Sequence, residues 1–118
     1  MDKSKQIEVR FFSQKSGVEP VRDWLITLDK EDRKRVGVDL KTAEFGWPIG
    51  MPVCRPLGKS IYEVRSSLTQ GRIARVLFCI TGSHMVLLHA FIKKTKKTPA
   101  HEIDLALKRK KELMNGKI

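Results

Sequence analysis

A single α+β domain spanning residues 1–118 is the fold this chain predicts, on three patterns in its sequence. A short alternating segment is followed by two stretches of helical periodicity. Three longer alternating segments then succeed one another across glycine-bearing breaks, and a last helical stretch follows a Thr-Pro pair. The expected architecture is an antiparallel sheet of four to five strands, with two N-terminal helices packed on one face and a C-terminal helix.

Ile7, Val9 and Phe11 alternate with Glu8, Arg10 and Phe12, the period of a strand with one buried face. Pro20 suits a first helical position, and Val21, Trp24, Leu25 and Leu28 follow at i, i+3, i+4 and i+7. Asp29 is placed to cap a second helix, with Glu31 and Asp32 in its first turn, where negative charge suits the dipole. Val36, Leu40, Ala43 and Trp47 form that helix's apolar stripe, and Gly46 with Pro48 end it. Gly50, Pro52, Pro56 and Gly58 make residues 49–59 a loop, with a short edge strand near residues 53–57.

Residues 61–68, 72–80 and 84–92 read as an antiparallel meander joined by three-residue loops, Thr69-Gln70-Gly71 and Thr81-Gly82-Ser83. Alternation sorts the side chains of these strands into two sets. Tyr62, Val64, Ala74, Val76, Phe78, Ile80, Val86, Leu88, Ala90 and Ile92 form an apolar set that should carry the helices. The other set holds Glu63, Arg65, Arg75, His89 and Lys93, mixed with Ile73, Leu77, Leu87 and Phe91. With the loops centred on Gln70 and Gly82, Arg65 pairs with Arg75 and Arg75 with His89, a row of side chains about 5 Å apart. Opposed like charges cost stability, so a row of this kind points to an anionic ligand. Thr98 is placed to cap the last helix with Pro99 first, and Ile103, Ala106, Leu107, Met114 and the Lys110 stem form its inner face.

A net charge of +11 and 24 lysines and arginines in 118 residues make a polyanion the leading class of partner. The charge peaks in Leu88-His89-Ala90-Phe91-Ile92-Lys93-Lys94-Thr95-Lys96-Lys97-Thr98-Pro99, where a strand ends in four lysines within five residues. Lys96 and Lys97 are candidate RNA-binding residues, as are Arg55 and Lys59 in the loop before the meander. Cys54 and Cys79 are the only cysteines and neither lies in a short-spaced pair, so reduced thiols are expected and no metal or other cofactor. No apolar run approaches the roughly 18 residues of a membrane span. Met1-Asp2-Lys3-Ser4-Lys5 lacks the apolar core of a signal peptide, so no membrane partner and a cytoplasmic location are expected.

The order strand, helix, helix, antiparallel strands, helix, together with Tyr62-Glu63-Val64-Arg65, Arg72-Ile73-Ala74-Arg75-Val76-Leu77-Phe78 and the lysine stretch, resembles the RelE superfamily of bacterial toxins. It is most similar to the HigB-like branch, which includes phage-derived members. The resemblance implies the toxin of a type II toxin-antitoxin pair, an endoribonuclease that cuts messenger RNA on the ribosome. It also implies a cognate antitoxin as partner, commonly a helix-turn-helix protein that binds DNA. Arg65 and Arg75 match the arginines of that family's sheet, with phosphate binding and transition-state stabilisation as their implied roles.

The residues are consistent with cleavage by the RNA's own 2′-hydroxyl. Fixed cations stabilise the phosphorane, and His89 has the intrinsic pKa for proton transfer near neutrality. Lys93 joins the candidate catalytic set as a cation or, with depressed pKa, as a base, and Lys94 completes it in a role set by where strand pairing stops. The plain alternative for His89 is a satisfied sheet histidine. Several relatives use a late tyrosine for proton transfer, whereas the only tyrosine here is Tyr62, on the expected core face. Two other functions compete: a ParE-like inhibitor of DNA gyrase, which needs no such cluster, and a non-catalytic RNA-binding module, for which aromatic residues on the basic face would be diagnostic.

Overall fold

The computed structural model describes residues 7–48 and 53–116. Its elements run β1 (Glu8–Phe11), α1 (Pro20–Thr27), α2 (Lys30–Gly46), β2 (Cys54–Gly58), β3 (Ile61–Ser67), β4 (Ile73–Thr81), β5 (His84–Lys93) and α3 (Ala100–Asn115). The five strands form one sheet in the order β1-β5-β4-β3-β2. Four of them pair antiparallel, as the meander predicts. The sheet is nevertheless mixed, because β1 pairs parallel to β5 with Glu8 opposite His84 and Phe11 opposite Leu87. The two helices between β1 and the meander carry the chain across the sheet, so β1 reaches the far edge in the same direction as β5.

Each helix begins as its sequence dictates. Pro20 opens α1, where its missing N–H forfeits nothing. The Asp29 carboxylate accepts a hydrogen bond from the Asp32 N–H at 2.8 Å and so caps α2. α1 packs on β1 and β5, and α2 on β3. Val21, Val36, Leu40 and Ala43 meet Val64, Val76, Phe78 and Leu87 in one core cluster. Tyr62 lies on this face, stacked on Phe78 and edge-on to Trp47, at centroid distances of 5.6 and 5.0 Å. Truncating Phe78 to alanine here costs about 3–5 kcal/mol by the usual measure of large core aromatics.

α3 covers the opposite face, where Ala106, Ile103, Leu107 and Leu113 pack on Ile61, Leu77, Cys79, Val86, Leu88 and Phe91. Met114, expected on the inner side of this helix, is 39% exposed, and Leu113 takes its place. Thr98 does not cap α3; Pro99 occupies the cap position, and the Thr98 hydroxyl donates to the Glu63 carboxylate instead.

The β4–β5 register also departs from the expected one. The connecting turn has two residues, Gly82 and Ser83, so that Thr81 pairs with His84 and Phe78 with Leu87. One further residue, Leu88, is then inserted as a β-bulge before Leu77 pairs with His89 and Arg75 with Phe91. The short turn shifts the alternation by one and the bulge shifts it back. Val86 and Leu88 therefore join the α3 cluster and Leu87 the α1–α2 cluster, the reverse of the alternation drawn straight through β5. Beyond the bulge, His89, Phe91 and Lys93 regain the expected face.

Candidate active site

The predicted row Arg65, Arg75, His89 becomes a grid. Arg65 stands opposite Arg75, as expected, but Arg75 stands opposite Phe91. His89 lies in the neighbouring row, which runs Arg55, Glu63, Leu77, His89 across β2, β3, β4 and β5. These residues share the face that α3 only partly covers. Lys93 closes β5 opposite Ile73, so regular pairing stops there and Lys94 begins the connection to α3.

Arg75 is wholly inaccessible to solvent. Its guanidinium donates to the carbonyl of Thr95 and, at 3.0 Å, to that of Lys97, and its Nε lies 4.0 Å from Glu63 Oε1. Burial, with the charges of Arg65 and Arg55, pulls its pKa below the usual arginine value, and Glu63 opposes them. An arginine nonetheless stays cationic at any physiological pH. Glu63 is equally buried, and its two oxygens share the single proton of the Thr98 hydroxyl, at 2.7 and 2.9 Å. Arg75 therefore acts as a clamp on the segment carrying Lys94, Lys96 and Lys97, rather than as a group that meets a ligand. Arg75, expected from the sequence to bind phosphate beside Arg65, is instead claimed by backbone carbonyls, which have no signature in a sequence.

Arg65 is half-buried and donates to the Lys96 carbonyl at 3.3 Å, which brings its charge to the same lysine segment. Lys94, Lys96 and Lys97 are exposed. Arg55 lies on this face beside Glu63. Lys59 does not join them. It sits with Ser60 in the tight β2–β3 turn, both at positive φ, at the other end of β3, some 20 Å along the strand at about 3.3 Å per residue. Its carbonyl accepts from Lys110 Nζ at 3.1 Å, near the far end of α3.

His89 is held on both ring nitrogens. Nε2 lies 2.6 Å from Glu102 Oε1, and Nδ1 lies 3.4 Å from Arg109 Nη1, which also donates to the Leu88 carbonyl at 2.9 Å. The bulge accounts for this arrangement: in a bulge two successive side chains take the same side, and here Leu88 and His89 both face α3. Glu102 Oε2 lies 3.6 Å from Lys93 Nζ and 3.5 Å from His101 Nε2. Burial holds the His89 pKa below its ordinary 6.5 despite Glu102, so the ring is neutral at physiological pH. Burial also opposes charge on Glu102, but the hydrogen bond from His89 and the charges of its neighbours outweigh it and leave the carboxyl below the usual range. Glu102 and Arg109 were not among the candidates read from sequence. An acidic first turn and a basic last half suit any helix dipole, and the turn that lays α3 back over β5 is not legible in composition.

Chemically, this face offers the half-buried Arg55 and Arg65 and an exposed lysine segment together with an imidazole hydrogen-bonded to a carboxylate. Among the described residues, no group of three or more His, Cys, Asp or Glu is arranged to hold a metal ion. A groove of about 670 Å³ between α2 and the turn after β3, lined among others by Asp32, Val38 and Leu68, contains none of these residues. Its Asp32 is engaged with Arg72 at 2.8 Å, so the chemistry, not the concavity, locates the site.

Residues 23–111 match the family described as phage derived protein Gp49-like (DUF891). The chain belongs to this Gp49-like family. The matched segment takes in α2, the whole meander and most of α3, and so every residue of the grid. No curated protein matches the chain. No helix among the described residues is long and apolar enough to cross a membrane.

Proposed function

We propose that this Gp49-like protein is the toxin of a type II toxin-antitoxin pair, a RelE-like, HigB-type endoribonuclease that cuts messenger RNA on the ribosome in the cytoplasm and is silenced by a cognate antitoxin. The observation that carries the reading is the gathering on one sheet face of Arg55, Arg65 and the lysine segment 93–97 beside the His89–Glu102 pair. The five-stranded α+β arrangement is consistent with a RelE-like fold, and the net charge of +11 suits a polyanionic substrate.

In this reading the RNA 2′-hydroxyl attacks the adjacent phosphorus and passes its proton to His89. The O2′–P bond forms, the P–O5′ bond breaks, and the departing O5′ takes a proton from the ammonium of Lys93 or Lys94. The products are a 2′,3′-cyclic phosphate and a 5′-hydroxyl. Arg65 and the lysines hold the phosphate and stabilise the charge added in the transition state, while acid-base catalysis contributes ~10²–10⁴-fold. Mapping transcript ends after brief induction tests the proposal. New ends inside translated frames are expected, and they should vanish with Arg65→Ala. Intact transcripts with impaired DNA supercoiling would replace this reading with gyrase inhibition.

A further inference from the structure

We infer that Glu102 is a positioning residue of this site: its carboxylate fixes His89 in the Nε2–H tautomer and draws in Lys93, leaving Nδ1 as the nitrogen that takes the proton. The inference rests on the proposed RNA cleavage and adds to it the atom that acts and the residue that sets it.

Two neighbours dictate the tautomer independently. An ionised carboxylate only accepts hydrogen bonds, so the nitrogen 2.6 Å from Glu102 Oε1 carries the proton. A guanidinium only donates, so the nitrogen facing Arg109 Nη1 at 3.4 Å presents its lone pair. Arg109 makes its better bond to the Leu88 carbonyl, at 2.9 Å, so its hold on Nδ1 is the weaker of the two contacts on the ring. The ring is fixed laterally as well, 5.6 Å from Phe91. Glu102 is buried, and its second oxygen lies 3.6 Å from Lys93 Nζ, so one carboxylate orients both candidate proton-transfer groups. The charged and titratable groups around the ring are Glu102, His101 and Arg109 from α3 and Lys93 from β5, with Arg75 diagonal to it on β4; Glu63 and Arg55 lie two and three strands away in the same row. When the ring takes the 2′-hydroxyl proton, the carboxylate stabilises the imidazolium that forms, as a second hydrogen-bonded group must for a buried base.

The test uses the ¹⁵N-labelled full chain without RNA, followed by the same proteins cutting an RNA. Wild type should show the Nε2–H tautomer at neutral pH. In Glu102→Gln the His89 titration should move to lower pH, and the acid limb of kcat should move with it while KM stays within about twofold. Arg109→Gln, which removes the opposing charge, should move both the other way, and it supplies the readout should Glu102→Gln fail to fold. An Nδ1–H tautomer in wild type, or a His89 titration unmoved in both variants, overturns the inference. So does a titration that moves while the acid limb of kcat stays put, since Glu102 would then only fasten α3 to β5. Failure of the RNA-cleavage reading shows separately, as transcripts left intact by wild type.

Discussion

Arg65 and Arg75 face each other in direct register across β3 and β4, yet only Arg65 reaches solvent. The repulsion expected of opposed cations is relieved unequally. Arg75 is turned inward onto two loop carbonyls and the buried Glu63, while Arg65 keeps a single bond to the Lys96 carbonyl. Matching positions on neighbouring strands thus do different work, one holding the lysine segment and the other offering its charge.

Arg75→Ala is therefore expected to act mainly on stability. It leaves Glu63 buried without its counter-ion and the Thr95 carbonyl without its guanidinium donor, while the Lys97 carbonyl keeps only the longer bond from the Thr95 hydroxyl, a loss of about 3–5 kcal/mol on the scale of broken buried pairs. Urea denaturation should show the lower midpoint, and growth arrest should fail along with the fold. An Arg75→Ala chain of wild-type stability would show that the clamp contributes nothing.

Arg65→Ala should behave in the opposite way. Its side chain is half-buried with one long hydrogen bond, so denaturation should shift by no more than about 1 kcal/mol. Transcript cleavage and growth arrest should nevertheless be lost, with a fall in kcat of about 10²-fold or more from removal of a charge-stabilising donor. Wild-type cleavage by this variant would remove Arg65 from the chemistry.

The difference between the two arginines marks the limit of what the sequence conveys. Local pattern was sufficient for Pro20 at the start of α1, Asp29 as the cap of α2, the three-residue loop through Gln70 and the side of Tyr62. Each rests on residues within a few positions of one another. The parallel pairing of β1 with β5, by contrast, is a choice of partner across more than 70 residues, which no local period encodes. The two-residue turn and the bulge at Leu88 cancel in parity, so straight alternation gave His89 the right face for the wrong reason and paired it with the wrong residue. Glu102 lies 13 positions from His89 and meets it only because α3 folds back over β5.

Acid should destabilise the fold through the pair that closes the site. His89 is held below its ordinary 6.5, so the folded chain disfavours its protonated form. That contribution is complete above the ordinary value and is lost as the pH falls through the depressed one. Glu102 is also held down, below 4.5, and loses its contribution in the same direction at still lower pH. Thermal melts should show Tm falling steadily as pH drops from about 7 towards 4. His89→Gln should flatten the upper part of that slope. A Tm profile that His89→Gln leaves unchanged would mean the ring titrates alike in the folded and unfolded chain.

The lysine segment makes a prediction about salt. Lys94, Lys96 and Lys97 are exposed, and Arg75 and Arg65 hold the segment's backbone at Thr95, Lys96 and Lys97 without using the lysine side chains. Replacing all three by glutamine should leave the fold intact and weaken binding to a single-stranded RNA. If each lysine neutralises one phosphate, the slope of log affinity against log salt should become shallower by about 2, at roughly 0.7 per phosphate on a single strand. Affinities measured from 50 to 300 mM salt read this directly. The same substitution at Lys59 and Lys110 should change the slope little, because that turn lies at the other end of β3 from the lysine segment. A loss of slope there equal to that of the lysine segment would place the RNA along the length of α3 and move the binding surface away from His89.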